Sequence, residues 1–175
     1  MRTRIAIACI TAAFPAFSAL AADLAEPAGI AAQLRPEGEQ PAFVLKASGV
    51  QIYTCKASAD GYEPKWTFVA PEATLSENGS VVGKHGAGPV WEFTADGSVV
   101  KGSAKARQDG GAGNIPWLWL PTTSVGKPGR FANVTSVLRV ATQGGVEPTS
   151  GCDASHVGQE ARVPYTADYY FYTKG

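Results

Sequence analysis

From about residue 41 onward the apolar residues recur mostly at a spacing of two or in short runs, and Gly, Pro, Asn and Asp punctuate them. Successive side chains of a strand point to opposite faces, so this alternation predicts strands separated by turns. Three dipeptides, Asp60-Gly61, Asn78-Gly79 and Asp96-Gly97, supply the positive φ angles that tight hairpins require. They predict antiparallel pairs of 50–56 with 65–70, 72–75 with 80–84, and 90–94 with 98–107. Further strands are predicted at 117–120, 134–141 and 163–172. In the last, Val163, Tyr165, Ala167, Tyr169 and Phe171 share one face, and Pro164, Thr166, Asp168, Tyr170 and Tyr172 the other. Both faces carry aromatic rings, so this strand is expected to lie between two layers or to line a pocket. About eight to ten strands predict an all-β fold, either an antiparallel β-sandwich or a partly closed β-barrel, with little helix.

The first 40 residues follow a different pattern. Asp23 to Gln40 is rich in Ala, Pro, Gly and Glu without a clear period, and reads as an extended lead-in with at most one short helical turn. Ahead of it stand two positive charges (Arg2, Arg4), an apolar run from Ile5 to Leu20, and Ala19-Leu20-Ala21. That is the layout of a secretory signal cleaved after Ala21 or Ala22. The run is shorter than the roughly 18 to 20 residues that span a bilayer and contains Pro15, so no stable membrane anchor is expected after cleavage. The expected organisation is a signal peptide over 1–22, a lead-in over 23–40 and a single β-rich domain over 41–175. The product is expected in the periplasm or outside the cell.

Cleavage also changes the cysteine arithmetic. Cys9 leaves with the signal, and Cys55 and Cys152 remain in an oxidising compartment. Two cysteines in a small exported domain usually pair, the alternative being two buried thiols. Cleavage takes Arg2 and Arg4 from the 15 basic residues, leaving 13 against 15 acidic and a formal charge of −2 with no run of either sign. Nucleic acid is therefore not an expected partner, since phosphate binding wants a concentrated basic face.

Several segments together resemble a known family. They are Gly49-Val50-Gln51-Ile52-Tyr53-Thr54-Cys55, Trp66-Thr67-Phe68-Val69-Ala70-Pro71-Glu72-Ala73, Gly88-Pro89-Val90-Trp91-Glu92, Ile115-Pro116-Trp117-Leu118 and Pro164-Tyr165-Thr166-Ala167-Asp168-Tyr169-Tyr170-Phe171-Tyr172. Over about 40–172 the chain is similar to domain-of-unknown-function family 3455. The resemblance implies a small, usually secreted domain of bacteria and fungi with no settled activity. Some fungal members carry the label malate dehydrogenase, which these residues do not support. Gly111-Ala112-Gly113-Asn114-Ile115-Pro116 puts Pro where a dinucleotide fingerprint needs its third Gly, and no amphipathic helix follows.

The densest chemistry lies in Lys84-His85-Gly86-Ala87-Gly88-Pro89-Val90-Trp91-Glu92. Gly-rich backbone permits close approach of a ligand, His85 can exchange a proton near neutrality, and Glu92 can orient it or serve as a second acid/base group. The plainer account is a hairpin loop with Trp91 in the core and His85 hydrogen-bonded, because one His near one Glu does not make a catalytic site. Trp117 and Trp119 share a strand face and form either a platform for sugar rings or, by default, an anchor in the core. Arg139 and Asp168 are charges within apolar strands, costly unless paired or hydrated. They are expected to tie to each other across the sheet, or else to point with Glu92 into a polar pocket.

If helical, Cys152-Asp153-Ala154-Ser155-His156 and Glu160 would place Asp153, His156 and Glu160 on one face. The tie at Cys152 explains the local turn without a metal, and the chain has only two histidines. No metal site and no cofactor are expected. No G-x-S-x-G elbow occurs, and a Ser, His and Asp triad across strands has no support.

The reading that results is an exported β-domain serving as a non-catalytic ligand-binding or envelope-associated module. Its candidate ligand surface is His85, Trp91, Glu92, Trp117, Trp119 and Arg139, for an unidentified small molecule or saccharide. Two alternatives stay open. One is a small extracytoplasmic hydrolase or isomerase pairing His85 with Glu92 or Asp168; the other is a structural cell-surface interaction protein.

Overall fold

The computed structural model describes residues 24–58, 61 and 63–175. The segment expected to be a signal peptide, with Cys9, and the Asp60 of the first turn dipeptide lie outside the described residues. Among the described residues nine antiparallel strands form one sheet: β1 (Glu39–Lys56), β2 (Lys65–Glu77), β3 (Ser80–Gly86), β4 (Val90–Phe93), β5 (Ser98–Gly102), β6 (Ala106–Gln108), β7 (Trp117–Ser124), β8 (Val134–Gly144) and β9 (Glu160–Lys174). Among the described residues the only helical element is a 3-10 turn at Ala32–Leu34.

The strand order is β5-β4-β3-β2-β1-β9-β8-β7-β6, and β7 closes it. One edge of β7 meets β8. The other is shared between β6, along Trp117–Trp119, and β5, along Thr122–Ser124. Across the break between β5 and β6, the N–H groups of Ser103 and Lys105 donate to Pro121 O (3.2 Å) and Trp119 O (2.9 Å). The pairing therefore runs in a ring, which satisfies backbone groups that an open sheet would leave at its edges. The expected all-β antiparallel class forms as a single curled sheet.

Local chemistry explains two of the turns. Asn78 and Gly79 adopt φ of 49° and 81° between the paired residues Glu77 and Ser80, the two-residue hairpin their types favour. The Asp96-Gly97 turn is different: only Gly97 has positive φ, at 71°. Asp96 contributes its carboxylate, accepting the N–H groups of Ser98 and Arg130, each at 2.8 Å.

Inward-facing residues fill the ring. Phe43, Phe131 and Phe171 stack at one end, with centroids 4.8 Å apart for Phe43–Phe171 and 4.7 Å for Phe131–Phe171. Leu45, Leu75, Val100 and Val137 pack in the same cluster. Arg130 lies over Phe43 and Phe93 and holds the Glu77 carboxylate through both Nη atoms, at 2.7 and 2.5 Å.

A second apolar cluster sits outside the ring. Ile30 and fully buried Leu34, from the segment expected to be an extended lead-in, cover Leu138, Val140 and Tyr172. Gln108 grips that segment by accepting the Ala31 N–H and donating to Gly29 O. Packed structure thus begins before residue 41, and β9 has an apolar layer on each face. Cys55 and Cys152 are bonded, with Cα atoms 5.3 Å apart. The bridge pins the loop before β9 to the end of β1, where Cys55 also pairs through its backbone with Gly158 and Gln159. Among the described residues no helix is long and apolar enough to cross a membrane.

Candidate functional site

Strand alternation sorts the candidate residues between the two faces of the sheet. On β3 and β4, His85 lies opposite Trp91 and both turn inward, while Lys84 lies opposite Glu92 and both turn outward. His85 is 4% exposed. Its ring stacks on Trp91 with centroids 4.5 Å apart and meets the edge of Tyr169 at 4.9 Å. Its Nδ1 lies 2.9 Å from Val90 O; a carbonyl can only accept, so Nδ1 carries the proton of the neutral ring. Burial lowers the His85 pKa to about 4, the Val90 bond opposes that shift, and the Arg139 charge adds to it. Trp91 fits flat against β5 because position 102 is Gly; a Cβ there would meet Trp91 at 3.0 Å and Leu120 at 3.2 Å.

Arg139, on β8 opposite Tyr169, also turns inward. Its Nε and Nη2 donate to Pro116 O at 3.0 and 2.8 Å, and it forms no ion pair among the described residues. The tie expected between Arg139 and Asp168 does not form. Arg139 pairs with Tyr169, and Asp168 with the next residue, Val140. That offset of one position sends the two charges to opposite faces. Asp168 sits on the outer face, 3.7 Å from Lys46.

His85, Trp91, Arg139 and Tyr169 converge on a cavity of about 350 Å³ inside the ring. Leu118 and Leu120 complete its wall, and exposed Phe68, Val69, Gly88 and Ala104 form its rim. A polar layer of Gln51, Tyr53 and Tyr165 adjoins Tyr169. The Tyr165 and Tyr169 hydroxyls lie 3.5 Å apart, and the Tyr53 hydroxyl donates to Gly145 O at 2.6 Å. Burial raises the pKa of all three tyrosines, while the Arg139 charge acts to lower each one. The strand pattern put Tyr165 and Tyr169 on one face, but nothing marked Gln51 and Tyr53 as inward. The signal was available: Gln51, Tyr53 and Cys55 share the parity of Leu45 and Ala47 along β1.

The remaining candidates lie elsewhere. Glu92 faces an open outer groove of about 630 Å³ with Ser48, Glu72, Thr74 and Lys84, which His85 also lines; strand alternation, with His85 opposite Trp91 and Lys84 opposite Glu92, sends the His85 and Glu92 side chains to opposite faces. Trp117 and Trp119 pack in the outer cluster with Leu138 and Tyr172. Trp119 donates to the Ser136 hydroxyl at 3.0 Å, and Lys105 lies over its ring at 4.7 Å. Asp153 to His156 forms turns and no helix, and Glu160 opens β9. Asp153 Oδ1 lies 2.7 Å from His156 Nδ1 and accepts the Ser155 hydroxyl at 2.6 Å. Ser155 also approaches Nδ1, at 3.1 Å. A triad needs the serine on one ring nitrogen and the carboxylate on the other, so this cluster is not one. No group of three His, Cys, Asp or Glu side chains among the described residues is arranged to hold a metal ion. The Gly111–Pro116 loop is a structural turn in which Asn114 accepts the Gly144 N–H at 2.8 Å.

The model of the family described as protein of unknown function (DUF3455) matches residues 36–80 and 76–173. The chain belongs to that family. The match spans all nine strands, so every residue that lines the cavity lies in the DUF3455 domain. No curated protein and no solved structure matches the chain.

Proposed function

We propose that this DUF3455 chain is an exported, non-catalytic binding module that holds a small molecule with a planar apolar body inside its ring of strands. The observation that carries the reading is the convergence of Trp91, His85, Tyr169 and Arg139 on one cavity of about 350 Å³. Small-ligand sites typically have this size and character, mostly apolar with a few convergent polar groups. Acid–base catalysis is less favoured, because neutral His85 is engaged by Val90 O and neither Glu92 nor Asp168 shares its face. The disulfide, together with the signal-like first 22 residues, supports a periplasmic or secreted location.

Calorimetric titration of the disulfide-bonded protein with neutral 1-naphthol tests the reading. Saturable one-to-one binding is expected. It should be lost in Ala104→Trp, which blocks the rim at an exposed position and leaves the core intact. Absence of saturable binding, or binding unchanged in that variant, would overturn the proposal.

A further inference from the structure

We infer that the cavity selects a monoanion of the aromatic carboxylate class, with Arg139 as the contact that reads the charge; the inference rests on the binding reading above and narrows its ligand. Arg35, Arg130 and Arg162 are each paired with a glutamate, and Arg107 is exposed. Arg139 is half-buried, faces the cavity and has no carboxylate partner among the described residues. Exposed Glu147 bears on Tyr53 but forms no ion pair with Arg139. A charge held away from bulk water without a counter-ion is costly, and the cost is relieved by a ligand that brings the opposite charge.

The geometry narrows the class further. Nε and one Nη2 hydrogen are spent on Pro116 O, which orients the guanidinium. The side chain also bonds Tyr169; the guanidinium donors that remain face the cavity and belong to a planar fork, the shape that a carboxylate accepts. Among the described residues lining the cavity, Arg139 is the one that carries charge near neutrality. A single positive charge balances a carboxylate, whereas a phosphate dianion would leave negative charge buried and uncompensated. Exposed Phe68 at the rim, with Leu118, Leu120 and the buried Trp91, His85 and Tyr169 rings in the wall, makes the cavity apolar and aromatic, which suits an aromatic body.

The test titrates the disulfide-bonded protein with 1-naphthoate, 1-naphthamide and 1-naphthyl phosphate. Naphthoate is expected to bind at least tenfold tighter than either of the others. Arg139→Gln should abolish the preference for naphthoate while leaving naphthamide affinity within about twofold. Arg139→Lys, which keeps the charge and loses the fork, should reduce the preference at least threefold, and it carries the test if the Gln variant does not fold. Equal binding of acid and amide, or a preference retained in the folded Gln variant, overturns the charge-reading role and leaves the cavity reading standing. Tighter binding of the phosphate overturns the monoanion class. If none of the three binds while 1-naphthol does, the monoanion reading falls alone; if 1-naphthol fails as well, both readings fall.

Discussion

His85 is buried on a face it shares with Trp91, Tyr169 and Arg139, and burial next to that guanidinium keeps its ring neutral. The consequence for stability has a definite sign. In the unfolded chain a histidine titrates near pH 6.5; in the fold His85 takes up its proton only near pH 4. Above pH 6.5 both states are neutral and stability is full. As pH falls from 6.5 towards 4 the unfolded state binds the proton first, so stability drops, and below 4 no further loss arises from this group. Between pH 7.5 and 5 the loss should be about 2 kcal/mol. Urea denaturation at the two pH values measures it, and His85→Phe should flatten the difference. Equal pH dependence in wild type and variant would show that the ring is not held neutral. A histidine amid glycines was legible in the sequence as a chemical candidate. Its partner was not, because the adjacent Glu92 faces away and the facing residues come from β4, β8 and β9.

At the scale of elements, the segment before β1 shows what periodicity misses. Residues 24–38 have no apolar repeat, yet Ile30 and Leu34 seal the outer face over Leu138, Val140 and Tyr172. The docking is made by scattered buried residues, Pro27, Ile30, Leu34 and Pro36, and by the Gln108 hydrogen bonds, which leaves no pattern to detect. Leu34→Ala should cost about 2 to 4 kcal/mol, as for other fully buried leucines. Limited proteolysis of that variant should release the segment before Glu39 while the ring resists. A loss below about 1 kcal/mol would mean that the segment is only loosely attached. The hairpins were far more legible. Asn78-Gly79 encodes its turn in two adjacent residues, and the aromatic alternation of β9 places Tyr165, Tyr169 and Phe171 inward together.

For the whole molecule, two long-range closures matter: β7 against β5, and Cys55 against Cys152. The disulfide joins residues 97 positions apart, and in the chain-entropy model a loop of that size is worth roughly 4 to 5 kcal/mol. Reduction, or the Cys55→Ser/Cys152→Ser pair, should lower the unfolding free energy by a comparable amount in a urea titration. If the chain is exported and cleaved after Ala21 or Ala22, so that Cys9 is gone, alkylation of the unreduced protein should find no free thiol. Two reactive thiols in the unfolded, unreduced protein would refute the bridge.

The sequence by itself determined the antiparallel all-β class, most of the strands and the Asn78-Gly79 turn, and it favoured the pairing of Cys55 with Cys152 over two buried thiols. Those properties depend on the side-chain period, on local φ preference and on a count. Only the tertiary structure decided which parity of each strand faces inward relative to its neighbours, because that depends on register between residues far apart in the chain. A single position of offset between β8 and β9 sends Arg139 into the ring and Asp168 out to Lys46. The same parity rule parts His85 from Glu92. The cavity belongs to the closed ring, and the contacts that close it are non-local.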